Sequence, residues 1–390
     1  MAIHKNFYKS LFFLFILIVL TFYLSSTENK KEENQILEVQ FSELPGWLTT
    51  DILPSLKAFE QSCKYISIKN SLEEKNFFKL SFNKDSYINF CKLLSNVKTN
   101  DELKFLIEES FYPAYLSSKE TLFTGYVELE IKGRLNFSLQ EAPNAVPIFK
   151  KPPNIISIDL EKFGQEHKEK KITGMLLEND FVPVPSRKII ENQNMFNEHI
   201  LAYIDDPALA YFLHIQGSGI ITLPTGKKMA VGYAGDNGKK YYSIGKDLIE
   251  EGIIKKENIS MQTILNWMRS NEKEAFDLMQ KNSRFIFFQE RNKMESPKGS
   301  SGTEVTPMYS AAIDNKYIPY HLPLWTQVDN FYVNSEDKEF TNIFIAQDTG
   351  SAIKGFTRMD LFLGKGKNSE IIAGKLNSSG KIWALIPRDN

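Results

Sequence analysis

The spacing of the apolar residues changes near Phe123, and that change limits the fold more than any other feature of the sequence. Between residues 44 and 119 apolar side chains recur every three or four positions, which predicts amphipathic helices. Between residues 123 and 158 they alternate with polar ones, and glycine and proline separate the runs, which predicts β-strands. The alternating residues include Val127, Leu129 and Ile131. We therefore expect a mainly β protein with a helical N-terminal preface.

Further elements are predicted beyond residue 200. Strands are predicted over the apolar segments 208–215, 220–223 and 228–232. A helix is predicted over 246–251, and Ser260 is expected to cap the helix that follows it. His214 therefore lies in a predicted strand, and we interpret it as structural rather than catalytic. Ser218 lacks the GxSxG context of a serine nucleophile and is interpreted as a turn residue.

Composition and charge exclude several classes of protein. The 390 residues suffice for two domains, and 13% of them are aromatic, which excludes a disordered chain. Since 47 Lys and Arg face 48 Asp and Glu, the basic excess of a nucleic-acid binder is missing. The two cysteines form no CxxC pair and the five histidines are scattered, so no metal site is predicted. Neither GxGxxG nor GxxxxGK[ST] occurs, so no nucleotide cofactor is predicted.

The N-terminal residues 1–26 have the pattern of a targeting segment. His4, Lys5 and Lys9 precede an almost unbroken apolar run from Leu11 to Leu24. This run is shorter than the roughly 20 residues that span a bilayer comfortably, which favours a secretory signal peptide and leaves an uncleaved membrane anchor as the alternative. No cysteine lies near the end of the run to carry a lipid. Residues 27–43 are polar and are interpreted as a linker.

The two cysteines, Cys63 and Cys91, lie 28 positions apart. In an oxidising compartment outside the inner membrane they could form a disulfide. Two unrelated buried thiols are the alternative, because free cysteines are also common in cores.

Four glycine-rich segments carry most of the chemical interest. They cover residues 123–126, 216–219, 232–238 and 347–355. Glycines at this density mark turns with positive φ, or places where a ligand lies against the main chain.

The last of these segments and the residues that follow it carry two carboxylates in different surroundings. The apolar residues 343–347 predict a buried strand that ends at Asp348, in a polar turn where the carboxylate is expected to stay ionised. Asp360 lies between apolar neighbours, which disfavour its charged form, raise its pKa and suit it to act as a general acid. The alternative is that both aspartates only accept main-chain hydrogen bonds in turns, and spacing alone favours that alternative.

Four segments of the sequence together resemble one family. They read FTGY from residue 123, FLHIQGSGIITLPTG from 212, VGYAGDNGKKYYSIGKDLIEEGII from 231 and AQDTGSAIKGFTRMDLFLGKG from 346. In this order they resemble the membrane-bound lytic murein transglycosylase A family, whose C-terminal part is called the three-aspartate domain. The resemblance extends from about Leu44 to Leu385.

The resemblance implies a fold and a domain organisation. Members have a double-psi β-barrel into which a second β-domain is inserted, and peptidoglycan lies in the groove between the two. Transferred to this chain, the catalytic barrel with its helical preface would comprise residues 44–128 and 292–390. The inserted substrate-binding domain would comprise residues 129–291. The resemblance further implies a periplasmic enzyme, which we expect to be a monomer and to be membrane-associated if the N-terminal segment is retained.

The resemblance also implies roles for individual residues. Asp360 matches the catalytic acid and base, and Asp348 and Asp314 match supporting carboxylates. Residues matching the groove-lining turn and the substrate-facing loops are Thr124, Gly125, Tyr126, Gln216, Gly217, Ser218, Tyr233, Asn237, Gly238 and Tyr241. Lys354 is a candidate hydrogen-bond donor to the sugar or, alternatively, a solvent-facing residue.

The chemistry that the resemblance implies needs one carboxyl group and no cofactor. Asp360 would protonate the β-1,4 glycosidic oxygen between N-acetylmuramic acid and N-acetylglucosamine, and its carboxylate would then accept the proton of the sugar's 6-hydroxyl as a 1,6-anhydro ring closes. Two alternatives stay open. One is a murein hydrolase that activates water with the Asp348 and Asp360 pair. The other is a non-catalytic peptidoglycan-binding wall protein.

Overall fold

The computed structural model describes residues 34–69, 84–167, 170–193, 195–291, 296–333 and 336–388. The predicted signal peptide or anchor at residues 1–26 and the start of the predicted linker lie outside these ranges. None of the helices within them is both long and apolar enough to cross a membrane.

The described ranges hold more strand than helix, 36% against 31%, which confirms the expected mainly β class. The helices are α1 Leu56–Lys69, α2 Lys84–Leu94, α3 Asn100–Ser110, α4 Arg187–Asn192, α5 Pro207–Gln216, α6 Ile244–Glu250, α7 Met261–Ser270, α8 Glu272–Lys281 and α9 Lys367–Lys375. The strands of the first half are β1 Gln35–Glu38, β2 Phe111–Ser117, β3 Leu122–Arg134, β4 Val146–Phe149, β5 Ile155–Asp159, β6 Lys171–Leu177, β7 Asp180–Pro183, β8 Ile200–Ile204 and β9 Ser218–Thr222. The strands of the second half are β10 Lys228–Asp236, β11 Ile286–Arg291, β12 Ser310–Ile313, β13 Pro323–Val333, β14 Glu336–Asp348, β15 Arg358–Lys365, β16 Asn377–Ser378 and β17 Gly380–Pro387.

One continuous sheet runs through the molecule, and β3 lies near its middle. The strand order is β1-β2-β17-β13-β14-β12-β15-β3-β9-β10-β11, and β5, β6 and β7 form a separate sheet. The first part of β3 pairs in parallel with β15 up to Glu128, and the part from Leu129 onward pairs in parallel with β9. We refer to residues 129–291 as the insert and to the rest of the described chain as the body.

Within the body, the predicted helical preface packs on one side of the sheet around buried aromatic rings. Trp47, Phe59 and Phe90 are buried there against Trp325 of β13. Removing this apolar surface from water supplies the main stabilisation of the contact. A disulfide joins Cys63 of α1 to Cys91 of α2, so the bonded alternative for the two cysteines is confirmed.

Two boundaries of the preface differ from the sequence prediction. The helical region was expected to continue to residue 119, but β2 begins at Phe111 and pairs with β17. Residues 35–38, expected to be linker, form β1, which pairs with β2. In both cases the hydrogen bonds come from strands that are distant in sequence, so local apolar spacing did not indicate them.

The strand predicted over 208–215 is wrong, because these residues form helix α5. Asp206 caps the helix by accepting hydrogen bonds from the N–H groups of Ala208 and Leu209, and Pro207 occupies the first turn. The helix is apolar on most faces because it is buried, and such a run cannot be told from a buried strand by periodicity. His214 thus lies in a helix, where its Nδ1 accepts a hydrogen bond from the N–H of Ile286.

Two further predictions, at Ser218 and at Ser260, differ less from the structure. Ser218 is the first residue of β9 rather than a turn residue, and the turn is made by Gly217 at φ 78°. The predicted cap at Ser260 is confirmed, since its hydroxyl accepts a hydrogen bond from the N–H of Thr263 in the first turn of α7.

Candidate active site

A cavity of about 1000 Å³ lies between the body and the insert, and both contribute to its walls. The body supplies Tyr126 of β3, the end of β14 with the turn after it, and Asp360 of β15. The insert supplies the segment 214–218 and residues of β10 and β11. The two aspartates that spacing alone left ambiguous therefore line one groove.

Asp360 is held by a short chain of side chains along the pairing of β15 with β3. It stands opposite Thr124 in the parallel register, and the Thr124 hydroxyl donates a hydrogen bond to Asp360 Oδ1 over 2.5 Å. Arg358, two residues earlier on β15, donates from Nη2 to Thr124 Oγ1 over 2.7 Å. Burial raises the pKa of Asp360, while the Thr124 hydrogen bond and the Arg358 charge oppose that rise. The raised pKa predicted from the apolar neighbours is confirmed in direction.

Asp348 accepts four hydrogen bonds from groups around the end of β14. Its Oδ1 accepts from Ser300 N–H at 2.9 Å, Ser300 Oγ at 2.8 Å and Thr349 N–H at 2.8 Å. Its Oδ2 accepts from the Tyr126 hydroxyl at 3.0 Å. Burial nevertheless raises the pKa of Asp348, and these hydrogen bonds lower it in part. Asp348 does lie among polar groups as predicted, but it is also shielded from solvent, because the segment carrying Ser300 covers the carboxylate.

Asp314 does not reach the cavity. It is buried after β12, where its Oδ2 accepts a hydrogen bond from the N–H of Gly355 at 3.0 Å and its Oδ1 accepts from Lys316 N–H at 3.3 Å. Lys354 lines the cavity, with its Nζ 3.9 Å from Asp314 Oδ1 and its side chain 55% exposed. Asp314 therefore fixes the turn before β15, while the half-exposed Lys354 side chain pairs loosely with Asp314 at the edge of the cavity.

The predicted turn at Thr124, Gly125 and Tyr126 is part of strand β3. The side-chain position of Gly125 points away from the groove, since a Cβ there would lie 2.6 Å from Leu363 Cδ1 and 3.1 Å from Ala373 Cα. Tyr126 does line the groove and packs against the ring of Phe362. Burial and then the two aspartates hold its pKa well above the usual range, so its hydroxyl stays a donor to Asp348.

Most of the predicted substrate-facing residues of the insert line the cavity. They are Gln216, Gly217, Ser218, Tyr233 and Tyr241. The side-chain oxygen of Gln216 also accepts a hydrogen bond from the N–H of Val127 at 3.3 Å, which ties α5 to β3. Tyr233 is 49% exposed, and its hydroxyl donates to Asp236, which pairs with Arg284.

Asn237 and Gly238 do not face the groove, contrary to the prediction. The Asn237 amide is buried and donates to the carbonyls of Pro185 and Ser283, while its oxygen accepts from Phe285 N–H. Gly238 adopts φ 70°, and a Cβ there would lie 2.9 Å from Thr173 Cβ. Both residues shape the loop after β10.

Two residues of the site were not singled out in the sequence. Arg358 could have been found, because residues two apart on a strand face the same side and Arg358 precedes Asp360 by two. Ser300 could not, because its contact with Asp348 bridges 48 positions and nothing in the surrounding glycine-serine segment indicates it. Within the described ranges no cluster of three or more His, Cys, Asp or Glu could hold a metal ion.

Two family models match this architecture. The one described as MltA specific insert domain matches residues 122–289, and the one described as 3D domain matches residues 309–386. Together they define the class, a protein in which an MltA specific insert domain is followed by a 3D domain.

Individual proteins extend the match. Membrane-bound lytic murein transglycosylase A of Escherichia coli (strain K12) is 34% identical over 208 residues, which are 52% of this chain and 56% of that protein. The chain thus spans about half the length of the curated relatives it matches. The crystal structure of MltA from Neisseria gonorrhoeae is 29% identical with a TM-score of 0.73, covering 90% of this chain and 92% of that one. The membrane-bound lytic murein transglycosylase from Agrobacterium tumefaciens, 24% identical, shares the fold with a TM-score of 0.79, covering 91% and 98%. The chain belongs to the membrane-bound lytic murein transglycosylase A family.

Proposed function

We propose that this protein is a lytic transglycosylase of peptidoglycan. It cleaves the β-1,4 bond between N-acetylmuramic acid and N-acetylglucosamine and leaves a 1,6-anhydro end on the muramic acid. The observation that carries this proposal is Asp360, a carboxyl group with a raised pKa at the groove between body and insert. A groove of this kind suits a glycan chain, and a relative from Escherichia coli has been solved with bound chitohexaose.

The reaction needs one residue that serves first as acid and then as base. Protonated Asp360 gives its proton to the glycosidic oxygen, the bond from that oxygen to the anomeric carbon breaks, and positive charge develops on the sugar. The Asp360 carboxylate then takes the proton of the 6-hydroxyl, whose oxygen bonds to the anomeric carbon. Because the attacking 6-hydroxyl belongs to the same sugar, the protein needs only to orient that sugar and does not have to bind a water molecule as the nucleophile. Asp360 ends the cycle protonated.

Asp348 acts as a supporting carboxylate in this proposal. Four donors already occupy its two oxygens, so it is poorly suited to take a proton from water. This favours the transglycosylase over the hydrolase, which would need a second carboxylate with a free oxygen facing the substrate. The negative charge of Asp348 also raises the pKa of Asp360, which keeps the acid protonated to higher pH.

The insert wall is proposed to bind the glycan. Tyr233 and Tyr241 offer ring faces to sugars, and Gln216 and Ser218 offer hydrogen-bonding groups. A near-neutral chain suits a substrate held through hydroxyl groups, amides and ring faces. We further propose that the protein acts in the periplasm as a monomer, with the apolar segment at residues 11–24 directing it there and attaching it to the membrane if it is retained.

The products released from murein sacculi test the proposal. The purified protein is incubated with sacculi, and the soluble muropeptides are separated and weighed by mass spectrometry. Anhydro ends are expected, each 18 Da lighter than the corresponding reducing end because water is not added. Reducing ends would support the hydrolase instead, and binding without release would support the wall-binding protein. Asp337→Asn, an exposed change on β14 outside the groove, is the matched control.

A further inference from the structure

We infer that Arg358 is a positioning residue that acts through Thr124 and determines which oxygen of Asp360 carries the transferable proton. The inference rests on the proposed acid and base role of Asp360. It gives Arg358 a role in the reaction, although Arg358 was not singled out in the sequence and takes no part in the proposed proton transfers.

The first step is a count of hydrogens on the Thr124 hydroxyl. A threonine hydroxyl has one hydrogen to donate, and an arginine guanidinium can only donate. Since Arg358 Nη2 lies 2.7 Å from Thr124 Oγ1, the hydroxyl must accept that hydrogen bond. Its own hydrogen is then directed to the remaining close acceptor, Asp360 Oδ1, at 2.5 Å. The direction of both hydrogen bonds therefore follows from Arg358.

The second step concerns how firmly Arg358 is held. Its Nη1 donates to the carbonyl of Met359 at 2.6 Å and to the carbonyl of Leu122 at 3.3 Å. Leu122 stands opposite Arg358 in the β15 to β3 register, as Thr124 stands opposite Asp360. The guanidinium is thus anchored to the main chains of both strands, and its planar shape fixes where Nη2 points.

The third step is the consequence for Asp360. Because Oδ1 accepts the Thr124 hydrogen, the acid proton resides on Oδ2, which receives no hydrogen bond from the residues that the structure describes. The same oxygen is then available to accept the proton of the 6-hydroxyl after bond cleavage. Asp348 of β14 and Tyr126 of β3 also face this carboxyl group, but only Thr124 is hydrogen-bonded to it. Oδ1 of Asp360 is therefore occupied by the Thr124 hydrogen bond, and Oδ2 carries out the proton transfers.

A double-mutant cycle separates this role from a purely structural one. Arg358→Met, Thr124→Val and the double variant are compared for the rate of anhydromuropeptide release between pH 4 and pH 9, with thermal unfolding measured for each. Either single change is expected to lower the maximal rate about tenfold, the ratio expected for one oriented hydrogen bond to a charged group. The double variant is expected to have a maximal rate no lower than that of Thr124→Val, because the hydrogen-bonded path from Arg358 to Asp360 Oδ1 runs through the hydroxyl.

The pH profile supplies a second readout. Loss of the Arg358 cation is expected to raise the pKa of Asp360, so the alkaline limb of the rate should move to higher pH. In Thr124→Ser, which keeps the hydroxyl, Arg358→Met should again lower the rate. Arg358→Gln, which is neutral but can still donate to the strand carbonyls, replaces Arg358→Met if that variant fails to fold. Arg388→Met, an exposed change near the C-terminus, should leave both limbs in place.

Three results would overturn the inference. They are rate losses that multiply in the double variant, an Arg358→Met rate equal to that of the wild type, and an alkaline limb that does not move. If the wild-type protein releases reducing ends, the transglycosylase proposal fails, while the same cycle measured on that release still tests the path from Arg358 through Thr124. If the wild type releases nothing, both proposals fail.

Discussion

The two walls of the groove differ in the side chains that they present. The carboxylates lining the cavity, Glu304, Asp348 and Asp360, all belong to the body. The insert wall presents aromatic, amide and hydroxyl groups, and its Arg284 and Arg291 are paired with Asp236 and Glu128. We infer a division of labour, in which proton transfer is carried out from one wall and the substrate is gripped from the other.

The largest effect is expected from Asp360→Asn on the body wall. An amide cannot donate and recover a proton, so release of anhydromuropeptides should fall at least about 1000-fold, within the range attributed to general acid and base groups. The variant should still bind soluble glycan fragments, because the insert wall is unchanged. Product analysis and calorimetric titration measure the two properties. Activity close to that of the wild type would refute the assignment of Asp360.

The next effect is expected from Asp348→Asn. Removing the negative charge beside Asp360 lowers the pKa of Asp360, since Asp348 helps to raise it. The rate should fall about 10-fold or more, and the alkaline limb should move to lower pH, opposite in sign to the shift expected for Arg358→Met. Rates measured across pH decide this. An unchanged alkaline limb would mean that the two carboxylates are not electrostatically coupled.

A smaller effect, on binding alone, is expected from the insert wall. Tyr233→Ala combined with Tyr241→Ala should weaken the binding of glycan fragments about 10-fold, as the loss of two aromatic contacts allows. The rate at saturating substrate should change little. Phe163→Ala is a suitable control because Phe163 is exposed and lies outside the groove. A large loss of saturated rate would contradict the division between the walls.

The smallest effect is a change in stability. The folded-state pKa of Asp360 is raised, so the folded protein binds the proton more tightly than the unfolded chain. The contribution of Asp360 to the free energy of unfolding is therefore fully present below the ordinary aspartate pKa. It is lost as the pH rises through the pKa that Asp360 has in the folded protein. Asp360→Asn should melt about 2 °C above the wild type at pH 7, with the difference vanishing at acidic pH. Melting curves at several pH values measure this, and a lower melting temperature for the variant at pH 7 would contradict it.

Sequence reasoning succeeded where the information was local. The apolar neighbours of Asp360 predicted its raised pKa, and alternation predicted β3. It failed where distant segments meet. The burial of Asp348 depends on Ser300, and the strand character of Gln35–Glu38 depends on pairing with β2.

A different failure came from weighing local signals wrongly. The segment 208–215 was interpreted as a strand because it is continuously apolar, although Asp206 and Pro207 together indicate a helix start. Asn237 and Gly238 were expected to face substrate because the family resemblance implied that role. Their side-chain positions are instead taken up by contacts within the insert.

Strand β3 joins the two walls of the groove directly. It is one unbroken strand of 13 residues whose first half belongs to the body and whose second half belongs to the insert. Where the halves meet, buried Glu128 pairs with Arg291 at the end of β11. Because this continuous strand joins the two walls, we expect their spacing to change little when a ligand enters. A groove of nearly constant width would select polymers by their cross-section, before the chemical groups of the polymer make specific contacts.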